Sequence, residues 1–281
     1  MQHGITVSPA GPAGDPRSMM DLAVLAEEAG WDAVFLEDYV IYPDPLPTYD
    51  PWVVLAAMAV VTSRIRLGTL VTPVTRRRPW KLAMEAATLD HLSGGRVILG
   101  IGAGDAAEAS FAAAGEPPSQ RDLAGRLDEA LELISRLWEG GPVTYGGSHY
   151  RTRDLRLRAL PLQKPRIPIW IGGDWLRPGV RRRLPRWDGT CAYHGTPGTP
   201  DSRPLDAGEV ADLLAWVGET RGSVEGFDVC VGGRERDPDT DRERDYLASL
   251  AAAGATWWQE WSRPGDAHRT RAAVERGPLR V

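Results

Sequence analysis

Cysteine is nearly missing from this chain. Its two cysteines, Cys191 and Cys230, make neither a disulfide framework nor a metal-ligand spacing, and a reducing compartment is the simple expectation. Lysine is almost as scarce. Lys81 and Lys164 are the only two, and arginine carries the rest of the positive charge. Together with the many alanines, glycines and prolines, that preference reads as the coding bias of a GC-rich genome rather than as a mechanism. Long apolar runs are lacking as well. Residues 1–20 hold none of signal-peptide length, and no segment reaches the ~18 apolar residues of a membrane span. A cytoplasmic protein with no membrane partner is the expectation. Positive charge is not in surplus either: the net charge is −5, which argues against nucleic acid as a main partner.

What is present suffices for a large core, since 42% of the residues are apolar. The organising stretch is 64–105. Residues 66–72 (RLGTLVT) are a β-branched run ending at Pro73. Residues 78–91 place Trp80, Leu82, Ala83, Ala86, Ala87 and Leu89 near helical spacing, and Gly94 and Gly95 stop them. Residues 96–101 (RVILGI) are almost wholly apolar, as in a parallel strand buried on both faces. Before this βαβ unit the pattern predicts strands over 4–8 and 33–37 and helices over 19–29 and 51–61. After it come a loop over 105–120, a helix over 123–138 and a small hairpin over 140–150. Strands follow over 167–171, 189–192, 227–231 and 255–261, with helices over 177–186, 207–220, 241–253 and 266–275. Eight strands alternating with helices predict an α/β fold, a (β/α)8 TIM barrel with a small inserted hairpin. No repeat or linker marks a second domain, so residues 1–281 are expected to form one.

In such a barrel the site lies at the C-terminal strand ends. Those ends carry Glu37, Asp38 and Tyr39, then Thr69 to Thr72, Gly102 to Asp105, Gly172 to Asp174, Cys191 to His194, and Glu260 with Trp261. Gly102, Ala103 and Gly104 leave backbone amides bare for a phosphate or a ring edge, although a G-x-G is often only a turn. Gly172 and Gly173, with Arg177, offer a second anion site. Arg181, Arg182, Arg183 and Arg186 read as a solvated helix face. Glu37 and Asp38 read as one buried, hydrogen-bonded acid and one exposed one. No histidine lies near them in sequence, and no metal site is expected. His91 and His149 read as structural, whereas His194 could face a pocket. The Pro- and Tyr-rich loop 40–49 and Trp52 would suit an apolar lid over a flat ring.

The segments LGTLVTP, RRRPWKLA, TLDHLSGGRVILGIGAGD, PRIPIWIGG and RWDG, in this order and at these spacings, resemble the bacterial-luciferase-like flavin and deazaflavin oxidoreductases. The resemblance runs from about residue 19 to the C-terminus. It implies a cofactor, either reduced FMN used with dioxygen, as in a monooxygenase, or the deazaflavin coenzyme F420, and a small organic substrate. It implies a non-prolyl cis peptide at Leu70-Val71, forming with Thr69 a bulge behind the cofactor ring, and a cofactor phosphate near Gly172 and Gly173. Relatives are often dimers through helices near the second and third strands, so a homodimer is an expectation. Deazaflavin-dependent relatives often carry histidine at the second strand end and glutamate after the glycine loop, where they handle a proton as hydride moves. Here those positions hold Tyr39 and Asp105, which become the candidate catalytic residues. Tyrosine, with a pKa near 10, is a poor base at neutral pH but a fair donor. The plainer alternatives are a pocket-wall aromatic for Tyr39 and a helix N-cap for Asp105. The missing histidine keeps a non-catalytic flavin-binding barrel open as a second hypothesis. An aldolase- or isomerase-like barrel ranks last, because neither lysine lies at a strand end.

Overall fold

The structure, a computed structural model, describes residues 1–116, 118–195 and 201–281. In chain order the elements are β1 (Gln2–Val7), α1 (Pro16–Glu28), β2 (Ala33–Leu36), α2 (Pro51–Val61), β3 (Arg66–Pro73), α3 (Pro79–Ser93), β4 (Val97–Gly102), α4 (Ala109–Ala113) and α5 (Gln120–Trp138). There follow β5 (Val143–Gly146), β6 (Arg151–Leu155), β7 (Ile169–Asp174), α6 (Pro178–Arg183), β8 (Gly189–Tyr193), α7 (Ala207–Arg221), β9 (Asp228–Arg234), α8 (Thr240–Ala252), β10 (Trp257–Trp261) and α9 (Ala267–Glu275). Short 3-10 turns, Val74–Arg76 and Leu184–Arg186, follow β3 and α6. Parallel strands close a barrel in the order β1-β10-β9-β8-β7-β4-β3-β2, while β5 and β6 pair as an antiparallel hairpin outside it. The expected (β/α)8 barrel and inserted hairpin are therefore present.

Local chemistry explains why the elements begin and end where they do. The Asp50 carboxylate accepts from the amides of Trp52 (2.9 Å) and Val53 (3.0 Å), and Pro51 occupies the first turn of α2, where its missing N–H costs nothing. Gly94 closes α3 in the left-handed region at φ 70°, which a side chain would disfavour. At the N-terminal end of the barrel the buried Arg96 guanidinium donates to the carbonyls of Ala59 (2.9 Å), Thr62 (3.0 Å), Ile65 (2.7 Å) and Ser93 (2.6 Å). It thereby satisfies carbonyls near two helix ends that would otherwise lack partners.

Two expectations need correction. The predicted loop over 105–120 contains α4. Its one large apolar residue, Phe111, is buried, but five residues are too few to display a helical period. The hairpin extends past Tyr150, because its second strand, β6, is RTRDL and has no buried face to announce it.

Inside the barrel, Phe35, Trp170 and Trp257 form an aromatic plug, with ring centroids 5.4 to 6.2 Å apart. Ala33, Ile98 and Cys230 complete it. Glycines make the room. A Cβ on Gly4 would stand 2.7 Å from Phe35, and one on Gly189 would stand 2.6 Å from Trp170. Side chains alternate across a strand, so the residues two steps beyond the plug also point inward, toward the C-terminal mouth. They include Glu37 on β2's continuation and Gly172, Cys191 and Gln259 on β7, β8 and β10.

Candidate active site

The end of β3 carries the most distinctive backbone. The Leu70-Val71 peptide is cis, as the motif resemblance implied. Pairing with β4 slips here: Thr69 faces Leu99, but Thr72 faces Ile101, so β3 bulges by one residue. Neighbouring glycines accommodate the bulge. A Cβ on Gly100 would lie 2.1 Å from the Thr69 carbonyl oxygen and 2.7 Å from Leu70. On Gly102 it would lie 2.9 Å, and on Gly172 2.6 Å, from the Val71 methyls. The glycines that read as a ligand loop thus have a first duty to their own chain. They let Val71 reach across between β4 and β7, and they leave the wall there as bare peptide.

Behind the bulge lies a polar brace. The Thr69 hydroxyl donates to the Gly100 carbonyl (3.1 Å), and the Thr72 hydroxyl donates to Asp38 (2.9 Å) while accepting from the Trp52 indole (3.1 Å). Asp38 is buried and also meets Arg76 (3.3 Å) and Arg77 (3.1 Å). Arg76 continues to Glu108, which accepts from Ser110 Oγ at 2.5 Å. Trp52 is therefore a buried strut of this brace rather than part of a lid. Arg76, Arg77 and Glu108 are functional neighbours that sequence reasoning missed. The RRRP motif drew notice, but Asp38 and Glu108, the partners that build the brace, lie more than 30 residues from Arg76.

The pair Asp38 and Glu37 corrects another expectation, because neither is exposed: Asp38 is buried and Glu37 is half-buried. Glu37 shares Phe35's inward parity and stands in the mouth, where it accepts hydrogen bonds from the Ser8 hydroxyl and the Trp261 side chain. Burial pushes its carboxyl above the usual range, against these two donors. Tyr39 packs edge-on against Tyr42, with centroids 5.2 Å apart. Burial, and secondarily the charge of Glu37, drives the Tyr39 phenol far up, and Tyr42 up to about 12. Tyr42 also lies close to Ser8. Ser8 and Tyr42 had no sequence signal beyond lying near a strand end.

The glycine loop after β4 is pinned by Thr75, whose hydroxyl donates to the Ala103 carbonyl (2.7 Å). Gly104 sits at φ 79°, and a Cβ there would meet Pro73 at 3.2 Å. Asp105 is exposed, and its Oδ1 accepts from the Ala107 amide (3.0 Å), so it caps a turn, while Glu108 occupies the N-cap of α4. Its charge still reaches Tyr193, whose phenol is pushed up to about 12, chiefly by burial. The Cys191 thiol, likewise buried, rises to about 12 and is a poor nucleophile.

On the β7 side, Gly173 adopts φ 142°, and a Cβ there would strike Val180 at 2.7 Å. Arg177 is exposed, 3.5 Å from Asp174. The other arginines of this run are engaged elsewhere. Arg181 lies between the rings of Trp175 (4.5 Å) and Trp216 (4.8 Å), and Arg182 (2.9 Å) and Arg183 (2.6 Å) both bind Asp128. His194 Nδ1 stands 3.0 Å from Glu209, a strut to α7, and His91 Nε2 is 2.7 Å from the Leu160 carbonyl. Glu260 faces out of the barrel, where Arg236 (2.8 Å) and Arg276 hold it. Beside the mouth, beyond β9, a cleft of about 770 Å³ gathers Arg203, Arg234, Arg236 and Arg242. Each already has a carboxylate partner: Glu209, Glu243, Glu260 and Asp237 respectively. Among the described residues, no group of three His, Cys, Asp or Glu is placed to hold a metal ion. Among them, too, no helix is long and apolar enough to cross a membrane.

A parallel barrel with a non-prolyl cis bulge at its third strand end, seated among glycines of the fourth and fifth barrel strands, defines a narrow class. The chain belongs to the luciferase-like monooxygenase family, whose model matches residues 1–192. It is 39% identical over 165 residues to an F420-dependent glucose-6-phosphate dehydrogenase of Microbacterium testaceum, a match that covers 57% of this chain and 47% of that protein. The chain thus spans about half the length of the curated relatives it matches. Among solved structures it resembles the coenzyme F420-dependent tetrahydromethanopterin reductase of Methanopyrus kandleri, with TM-score 0.77 and 21% identity over 98% of this chain and 96% of the other. A monooxygenase from Streptomyces bottropensis gives TM-score 0.73 and 21% identity over 98% and 96%. At that identity these two speak to the fold.

Proposed function

We propose that the chain is a deazaflavin-dependent oxidoreductase that moves a hydride between coenzyme F420 and a small organic molecule. The observation that carries this is the Leu70-Val71 bulge, framed by Gly100, Gly102 and Gly172. It supplies a wall of backbone and one methyl pair on which a flat ring can rest. The F420-dependent dehydrogenases matched over 56–57% of the chain favour the deazaflavin as that ring. Thr69, Leu70, Val71, Gly102, Ala103 and Gly104 would hold the ring, and Gly172, Gly173 and Arg177 would bind the coenzyme phosphate through amides and a guanidinium. The coenzyme supplies the hydride chemistry, and the chain supplies orientation and a proton path. Tyr39 walls the mouth and can donate, and Asp105 sets charge at its rim.

A second reading, reduced FMN with dioxygen, is favoured by the monooxygenase description of the family. The deazaflavin lacks the ring nitrogen that supports oxygen activation, so one experiment separates the two. Titrate the purified protein with F420 and with FMN, follow the quenching of tryptophan fluorescence, and record oxygen uptake with each reduced cofactor. F420 binding without oxygen uptake is the expected result. Binding of neither would overturn both readings, and binding without turnover of any donor–acceptor pair would leave a flavin-binding barrel. We further infer one domain over 1–281, a cytoplasmic location and a homodimer. The dimer rests on the exposed Val53 and Val60 of α2 and Met84 of α3, and sedimentation of the native protein tests it.

A further inference from the structure

We propose that Glu37 exchanges the proton with the reacting oxygen of the substrate, and that Ser8 and Tyr42 carry that proton between Glu37 and solvent. The inference rests on the oxidoreductase reading above and gives it an acid–base group that neither Tyr39 nor Asp105 supplies. Tyr39 is too weak an acid to work as a base near neutrality. Asp105 is exposed, and one of its oxygens is committed to a turn. Glu37 stands on the inward face of the barrel, one step of the pleat above Phe35, whereas Asp174, of the same parity on β7, is engaged by the Leu176 amide and Arg177.

Its surroundings suit the task. A carboxylate accepts at about four sites. Ser8 and Trp261 occupy two, which leaves acceptor capacity for a further donor. Ser8 has one hydroxyl hydrogen, and Glu37 takes it, while Tyr42 lies close to Ser8. Ser8 thus stands between Glu37 and Tyr42, and Tyr42, half-buried in the loop after β2, is the member nearest solvent. The titratable and charged groups around Glu37 are Tyr39 and Tyr42 on that loop, Asp38 on the strand's outer side with Arg76 beyond it, Glu108 after β4 and Arg263 after β10. Burial outweighs them and holds the carboxyl above its usual range, nearer the pH at which a base works best.

In the oxidative direction the substrate's O–H bond breaks and its proton goes to a Glu37 oxygen. The C–H bond on the same carbon breaks, and its electron pair leaves with the hydride to the oxidised deazaflavin, giving C=O. Once Glu37 holds the proton, the Ser8 hydroxyl turns from it toward Tyr42 and accepts from the carboxyl; Glu37 passes its proton to Ser8, Ser8 passes its own to Tyr42, and Tyr42 releases one to water. Reduction reverses each transfer.

The test uses wild type, Glu37→Gln, Glu37→Asp and Tyr39→Phe. Infrared spectra of the cofactor-free protein across pH read the C=O stretch of a protonated carboxylic acid. The wild type is expected to show a band that persists above the ordinary glutamate range and vanishes in Glu37→Gln. F420 affinity, read by fluorescence, is expected to change by no more than about twofold. Turnover with 2-propanol or glucose 6-phosphate is expected to fall about 10²–10⁴-fold in Glu37→Gln, to lose its lower pH limb, and to recover partly in Glu37→Asp. A Glu37→Gln protein that keeps the band, or that keeps the wild-type rate and pH limb while Tyr39→Phe loses them, would overturn the proposal. Failure of the wild type to bind F420 would instead refute the functional reading, and the infrared band would still decide whether Glu37 holds a proton.

Discussion

Glu37 and Asp38 are chemically alike and adjacent, yet the pleat sends them to different work. Asp38 turns outward into two guanidinium groups and the Thr72 hydroxyl. Removing it would leave a buried gap beside Arg76 and Arg77 and take from each its most buried carboxylate partner. Asp38→Ala is therefore expected to cost about 3 kcal/mol or more in urea unfolding, a large share of a typical total. Glu37 turns inward, and burial raises its carboxyl, so the folded state binds more protons than the unfolded one once pH exceeds the ordinary glutamate value. Stability must then fall as pH rises from about 4.3 through the raised pKa. Glu37→Gln should flatten that part of the Tm–pH profile and gain on wild type at its upper end. The motifs pointed to this strand end but not to the division of labour within it. One residue of parity decides which acid faces the mouth, and strands buried on both faces conceal parity. The same ambiguity put Glu260 among the mouth candidates, although Trp261 is the neighbour that reaches Glu37.

At the scale of elements, periodicity and punctuation were highly legible. The helix expected over 51–61 is α2 to the residue, because Asp50 and Pro51 mark its start unambiguously. The elements that escaped were α4, too short to show a period, and β6, too exposed to show a buried face. The bulge of β3 is a property of three strands together, and its glycines report it only when read as partners. Gly172→Ala places a methyl 2.6 Å from Val71. It is expected to cost about 1–3 kcal/mol and to weaken F420 binding. Val71→Ala in the same chain should return part of that cost, so the double mutant falls short of additivity. Denaturation of all four proteins measures it.

For the whole molecule, the barrel and its family were readable from ordered motifs, whereas the brace behind the bulge was not. Arg76, Arg77, Asp38, Glu108 and Trp52 meet only because the sheet closes. If the mouth takes F420, ligand at 100 times its dissociation constant adds about 2.7 kcal/mol to stability. For a chain of this size that is roughly 5 °C or more in Tm. A thermal-shift titration with F420, with FMN as comparison, should show that rise for the bound cofactor and track its concentration.

The plug of Phe35, Trp170 and Trp257 also governs traffic. With the floor closed by three interlocked indole and phenyl groups, a molecule seated in the mouth would enter and leave at its C-terminal end, and the deeper of two would lie beneath the other. Two reactants sharing such a vestibule must queue: the deeper one enters early and departs late. Steady-state kinetics should accordingly obey a compulsory order, with only the deeper molecule's product, the last to leave, competing directly against its own precursor.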